Sequence, residues 1–200
     1  MDNLKIASLI LMGGQNKRMQ GQHKAFLTLN NQTFLEIITE TLSSFAPIYL
    51  SVNDQTKFSQ LHWPLIQDQY EAIGPLGGIY SALKTVPEDY LFVTACDMPF
   101  LTKSFANYLV SKLTPASHGI FIQNSEGFCY PLGAIYSKAM LPYMEQMLQT
   151  QCYRLQQLIK HSTVDLLPIE EIPFDPMLFT NVNTPNDYEQ MKLQFSKLKP

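Results

Sequence analysis

The chain opens on a mainly apolar run, residues 6–12, broken only by Ser8, which gives way at once to glycine and polar residues. A run of that length bounded by a turn signal predicts a strand buried on both faces. The period then changes: Phe34, Ile37, Ile38, Leu42 and Phe45 fall at helical spacing and mark one buried face. Thr33 and Glu36 stand as a capping box ahead of that helix, and Pro47 stops the segment. Residues 48–52 read as a short buried strand leading into Asn53-Asp54, and residues 65–67 as a weaker strand that delivers Asp68. Gly74-Pro75-Leu76-Gly77-Gly78 opens a helix running to about Val86. Residues 90–95 form a clearer apolar strand ending at Cys96-Asp97-Met98-Pro99, and Thr102 caps a helix with Phe105, Leu109 and Leu113 on its inner face.

The rhythm changes in the second half. Residues 118–123 and 130–136 bracket the turn cluster Asn124-Ser125-Glu126-Gly127 and predict an antiparallel hairpin. Helical patterns follow over residues 137–150, with Pro142 near the first turn, and over 153–160; residues 164–167 read as an edge strand. Thr184 is a natural N-cap with Pro185 as the first residue of a closing helix. Tyr143, Met144 and Met147 are most simply core packing. No repeat, low-complexity tract or linker intervenes. The expectation is a single α/β unit over residues 1–200, three-layered, with a mostly parallel central sheet and one antiparallel element.

Composition narrows the function classes. With 46% hydrophobic and 16% charged residues, the 200-residue chain is expected to bury a sizeable core. A net charge of -3 leaves no basic excess to neutralise a nucleic-acid backbone, so any phosphate binding must be local. Cys96, Cys129 and Cys152 form no CxxC pair and read as reduced thiols. The N-terminal run has Lys5 ahead of it but no small-residue cleavage site after it, so a buried strand is expected instead of an export signal. No apolar stretch approaches the roughly 20 residues that span a bilayer, and a cytoplasmic location is expected.

Candidate chemistry starts at the polar loop from Leu11 to Lys24, where Gly13 and Gly14 can let backbone amides approach a ligand, with Lys17, Arg18 and Lys24 nearby. Its spacing matches neither the Walker loop nor the three-glycine dinucleotide fingerprint, and taken alone it is equally that of an ordinary turn. In an open parallel sheet, ligands bind outside the carboxyl ends of the strands. Gly13, Gly14, Asn53, Asp68 and Asp97 all fall at such ends. Asp97, directly after a buried strand and ahead of Pro99, is placed to hold Mg²⁺; the alternative is a capping or turn-forming aspartate. Asn53 and Asp68 can address a base or ribose, or serve as turn residues. The four histidines have no ligand-like spacing, and neither Ser81 nor Ser125 sits in a nucleophile elbow.

Several stretches then line up as a set. They are Leu11-Met12-Gly13-Gly14 with Arg18-Met19 and His23-Lys24; Gln67-Asp68 with Gly74-Pro75-Leu76-Gly77-Gly78; Cys96-Asp97-Met98-Pro99; Tyr130-Pro131-Leu132 with Ala134 and Tyr136; and Asn181-Val182-Asn183-Thr184-Pro185. In this order, over nearly the whole chain, they resemble the molybdenum cofactor guanylyltransferases of the MobA type, nucleotidyltransferases with a Rossmann-like fold. Three loop positions depart from the family pattern: Met12 stands where Ala is usual, Gln20 where Gly is usual and His23 where Asp is usual. A Cβ at position 20 restricts positive φ, and loss of the aspartate removes a possible partner for Lys24 or Arg18. We read these departures as tuning.

The resemblance implies transfer of GMP from GTP to the phosphate of molybdenum-molybdopterin, with Mg²⁺ as cofactor and pyrophosphate released. It implies phosphate contacts from Leu11, Met12, Gly13 and Gly14, charge neutralisation by Arg18 and Lys24, and metal binding by Asp97. Asn53 and Asp68 fall on the nucleoside side; Tyr130, Pro131, Asn181 and Asn183 fall toward the pterin. Residues 1–100 would then be mainly the nucleotide half and 101–200 mainly the pterin half. The implied protein partners are molybdenum-insertion enzymes and molybdoenzyme chaperones. Two other readings stay open: the same chemistry with CTP, against which Leu11 to Gly14 and Leu76 speak, and a non-catalytic nucleotide sensor of the same fold.

Overall fold

The computed structural model describes residues 5–13, 23–70, 72–114 and 116–198, with side chains as far as residue 194. Strand β1 (Ile6–Leu11) lies in the interior of a seven-stranded sheet. A short hairpin of β2 (Thr28–Leu29) and β3 (Gln32–Thr33) follows it, outside that sheet. The other strands of the sheet are β4 (Ile48–Val52), β5 (Leu65–Gln67), β6 (Tyr90–Ala95), β7 (Gly119–Gln123), β8 (Cys129–Ser137) and β9 (Asp165–Pro168). Their order is β5-β4-β1-β6-β8-β7-β9, and β8 alone runs against the rest.

Alternation along the strands divides the interior into two cores. Ile10, Leu50, Phe92, Ile120 and Ile135 face one side, under α1 (Phe34–Thr41) and α3 (Lys103–Ser111). Leu9, Leu11, Leu91, Val93 and Tyr136 face the other, under α2 (Pro75–Thr85), α4 (Leu141–Gln149) and α5 (Leu155–His161). Each such side chain contributes about 1.5–3 kcal/mol by leaving water. A one-residue slip of β1 would exchange its two faces, so the register is firmly set. The last helix, α6 (Pro185–Leu198), closes a smaller third core of Leu27, Phe34, Phe100, Val182 and Met191.

Most predicted elements are found, with shifted ends. The helix expected over residues 137–150 begins four residues later: Ser137 is the last residue of β8, and a 3₁₀ turn, Lys138–Met140, precedes α4. Pro142 cannot donate a helical N–H and is tolerated only in a first turn, so the helix must start beside it. The helix expected from 153 starts at Leu155, and α1 stops at Thr41, although Leu42 and Phe45 are still buried as the pattern required. The β2–β3 hairpin was not predicted. Its turn is Asn30-Asn31, whose φ values of 47° and 65° are the paired left-handed conformations that a two-residue hairpin turn needs and that asparagine tolerates.

Candidate active site

After β1 the chain moves outward through β4 and β5, then returns to β6 on the other flank of β1. The strand order therefore reverses between β1 and β6, where a ligand crevice is expected. A cleft of about 970 Å³ opens there. Leu11, Gly13, Asn53, Asp68 and Asp97 line it from the strand ends, joined by Asn181 and Asn183 from the segment ahead of α6.

On one side of the cleft, Ser51 Oγ donates to Asp68 Oδ1 at 2.6 Å. Burial raises the Asp68 carboxyl above the usual carboxylate range, and the Ser51 hydrogen bond offsets part of that rise. Gly78 in α2 makes the pair possible: a Cβ there would lie 2.3 Å from Ser51 Oγ and 3.2 Å from Asp68 Oδ1. The same helix starts from Gly74, whose φ of 71° suits glycine, with Pro75 as its first residue.

On the other side, the single 3₁₀ turn Lys24–Phe26 carries a lysine of the cleft. His23 caps it. Its Nδ1 accepts from Ala25 N–H at 3.2 Å and its Nε2 lies 2.9 Å from the Met12 carbonyl oxygen. A carbonyl can only accept, so Nε2 carries the hydrogen and the ring is neutral. Desolvation holds His23 below its ordinary value, against the Met12 hydrogen bond. From this turn Lys24 Nζ reaches Asp97 Oδ2 at 2.8 Å and Asn183 Oδ1 at 2.9 Å.

The second oxygen of Asp97 has no partner. Oδ1 is buried and unsatisfied among the described residues, an arrangement that costs free energy unless a ligand completes it. The segment carrying Asn183 is fixed twice. Val182 N–H donates to the Asp97 carbonyl at 3.1 Å, and the Asp187 carboxylate accepts from the N–H groups of Asn183 and Thr184 while Thr184 Oγ1 accepts from Asp187 N–H. That reciprocal cap starts α6 and presents Asn183 to Lys24.

A family model described as MobA-like NTP transferase domain matches residues 8–166. The chain belongs to the MobA-like NTP transferase family. It is 32% identical over 195 residues to a protein of Clostridium perfringens named "Probable molybdenum cofactor guanylyltransferase", covering 94% of this chain and 96% of the relative. A Geobacillus protein of the same printed name is also 32% identical, with 94% and 98% covered. Among solved structures, molybdopterin-guanine dinucleotide biosynthesis protein A of Archaeoglobus fulgidus superposes with a TM-score of 0.80 at 23% identity, over 96% of this chain and 99% of that one; at that identity the likeness speaks for the fold.

Within this MobA-like frame, the expected site residues divide. Leu11, Gly13, Lys24, Asn53, Asp68, Asp97, Asn181 and Asn183 line one cleft. Gly14, Lys17, Arg18 and Gln20 lie outside the described residues. Met12 differs from expectation: its side chain is core, its amide donates to Ser51 O at 2.9 Å and its carbonyl holds His23, so its N–H is not open to a phosphate. Gly13 is not among the residues with positive φ. Tyr130 and Pro131 are not among the residues that line the cleft. Tyr130 stacks on Phe179 at 4.4 Å and the Pro131 carbonyl accepts from Tyr136 OH, while Leu132 lines the cleft. Ser51, Lys57 and Leu132 were missed; Ser51 was detectable as the one small polar side chain inside the run 48–52.

Proposed function

We propose that this MobA-like enzyme transfers GMP from GTP to the phosphate of molybdenum-molybdopterin, giving the guanine dinucleotide cofactor and pyrophosphate. The observation that carries the reading is the pairing, in one cleft, of a charged Lys24–Asp97–Asn183 cluster with a separate buried carboxylate, Asp68. The names of the relatives point the same way. Residues 1–100 serve mainly the nucleotide and 101–200 mainly the pterin, with Tyr130 and Pro131 on the pterin side. We place the reaction in the cytoplasm, which suits three free thiols, with molybdenum-insertion enzymes upstream and molybdoenzyme chaperones downstream. Among the described residues no helix is long and apolar enough to cross a membrane.

The chemistry asks little of a general base. The attacking phosphate monoester has a second pKa of about 6 and is already ionised at neutral pH. Its oxygen bonds to the α-phosphorus of GTP as the bond to the β-phosphate oxygen breaks, and pyrophosphate leaves with the electron pair. Lys24 neutralises charge on the phosphates, with Arg18 as a second cation. Asp68, as a carboxylate, accepts from the adjacent N–H groups on one edge of guanine, and Asn53 stands beside it; cytosine offers no such pair of donors on one edge.

Mg²⁺ suits the donor set at Asp97. The ion takes one or two protein carboxylates and completes its shell with substrate phosphate and water, and the buried, unpartnered Oδ1 is such a donor while Oδ2 stays with Lys24. Once bound, it would supply Lewis-acid polarisation of the phosphate oxygens.

The reading is tested by mixing the purified protein with Mg²⁺, molybdenum-loaded cofactor and either GTP or CTP, following pyrophosphate release and the product mass. GTP should be strongly preferred. Preference for CTP overturns the base assignment, and release with neither nucleotide favours a sensor over an enzyme.

A further inference from the structure

We infer that His23 is a positioning residue, which as the neutral Nε2–H imidazole fastens the backbone of Lys24 to the end of β1. The inference rests on the nucleotidyl-transfer reading for what Lys24 then does. Three observations carry it. The ring makes one hydrogen bond to the segment just past β1, at Met12 O, and one to the turn that it caps, at Ala25 N–H. The ring also packs against an aromatic pair, tilted on Phe26 at 5.6 Å and edge-on to Phe58 at 5.1 Å, which restricts its turning. The turn that it caps begins with Lys24, whose ammonium bridges Asp97 and Asn183.

The family's usual aspartate and this histidine are therefore alike in one respect and different in another. Either side chain can accept from Ala25 N–H as an N-cap. Only the imidazole also donates to Met12 O, and only the imidazole changes charge between pH 5 and 7. A proton on Nδ1 would point an N–H at the Ala25 N–H and abolish the cap. The neighbouring charges oppose that proton on one side and invite it on the other: Lys24 follows in the chain, Lys57 and Asp54 belong to the turn bearing Phe58, and Asp97 beyond Lys24 is already paired. Cys96 lies at the same Ala25 amide with its thiol pushed up to about 12, so it contributes no charge.

The chain thus carries an acid-sensitive fastening at its catalytic cation. It is tested on the full chain with His23→Asn, which keeps an acceptor but does not titrate, and His23→Ala, which keeps neither bond. With GTP, Mg²⁺ and loaded cofactor at pH 7.5, kcat/KM should fall about tenfold or more in His23→Ala and be largely rescued in His23→Asn. Below pH 6.5 the wild-type enzyme should lose activity more steeply than His23→Asn; ionisation of the substrates is common to both and cancels in their ratio. Long-range proton–nitrogen spectra of histidine-labelled protein should show the Nε2–H tautomer. Three results would overturn the inference: an Nδ1–H ring, equal losses in Asn and Ala, or a His23→Ala enzyme that is less stable yet unchanged in kcat/KM and acid limb. A wild-type protein inert with GTP defeats the nucleotidyl-transfer reading instead, and the tautomer and the pH dependence of unfolding would still decide the fastening.

Discussion

Lys24 and Asp97, 73 positions apart in the chain, meet in a 2.8 Å ion pair that occupies one carboxylate oxygen and leaves the other without a partner among the described residues. Both side chains are mostly buried, at 16% and 13% exposure, so removing either strands the other away from water. Asp97→Ala should nearly abolish turnover, while the affinity for GTP falls much less. Lys24→Met should cost on the order of 3 kcal/mol of transition-state stabilisation, by analogy with lost oxyanion donors. Steady-state kinetics beside calorimetric GTP titration separates the two effects; normal turnover in Asp97→Ala would refute the metal assignment.

Asp68 is held at a cost to the free protein. Its folded value is raised by burial, so stability declines as pH rises from the ordinary 3.8 through that raised value, and stays lower above it. Asp68→Asn keeps the acceptor for Ser51 and removes the charge. At pH 7 the variant should melt about 1–2 °C higher than wild type and bind GTP at least tenfold more weakly, and the melting difference should vanish below pH 3.8. Scanning calorimetry across pH checks the first, and titration with GTP the second.

Gly78→Ala sets two effects against each other. Alanine is favoured over glycine inside a helix by about 1 kcal/mol. The new methyl would sit 2.3 Å from Ser51 Oγ, which is engaged with Asp68, and 3.0 Å from Leu11 Cδ2. The clash should win, lowering stability by about 1–3 kcal/mol and GTP affinity with it, and Ser51→Gly in the same chain should restore part of both. Denaturant titration of the single and double variants provides the comparison.

Thiol chemistry should distinguish the three cysteines. Burial pushes Cys96 up to about 12 and raises Cys129, while Cys152 is partly exposed. Because the thiolate is the reactive form, iodoacetamide at pH 8 should modify Cys152 first and leave Cys96 intact until the protein unfolds. Timed labelling with peptide mass mapping reads this directly; early loss of Cys96 would contradict the packing around it.

Two inner strands and the edge strand β5 were legible because each is a mainly apolar run with a polar residue at or soon after its end. That pattern gave β4, β5 and β6 with their bounds and delivered Asn53, Asp68 and Asp97 to one edge. What stayed hidden depends on contacts across the fold. Nothing local tells that Ser51 faces Asp68, that the Met12 amide is consumed by Ser51 O, or that Leu132 replaces Tyr130 at the cleft. His23 stood out only as a departure from a pattern, and its two ring hydrogen bonds give that departure a physical meaning.

The hydrogen bond from Val182 to the Asp97 carbonyl also bears on the order in which the site comes into being. During synthesis, Lys24, Asp68 and Asp97 leave the ribosome well before Asn181 and Asn183, so the cation and both carboxylates wait for the wall that completes them. Until that segment is in place, Lys24 lacks its hydrogen bond to Asn183. The Lys24 ammonium therefore gains its second partner only when the segment ahead of α6 has folded back onto Asp97.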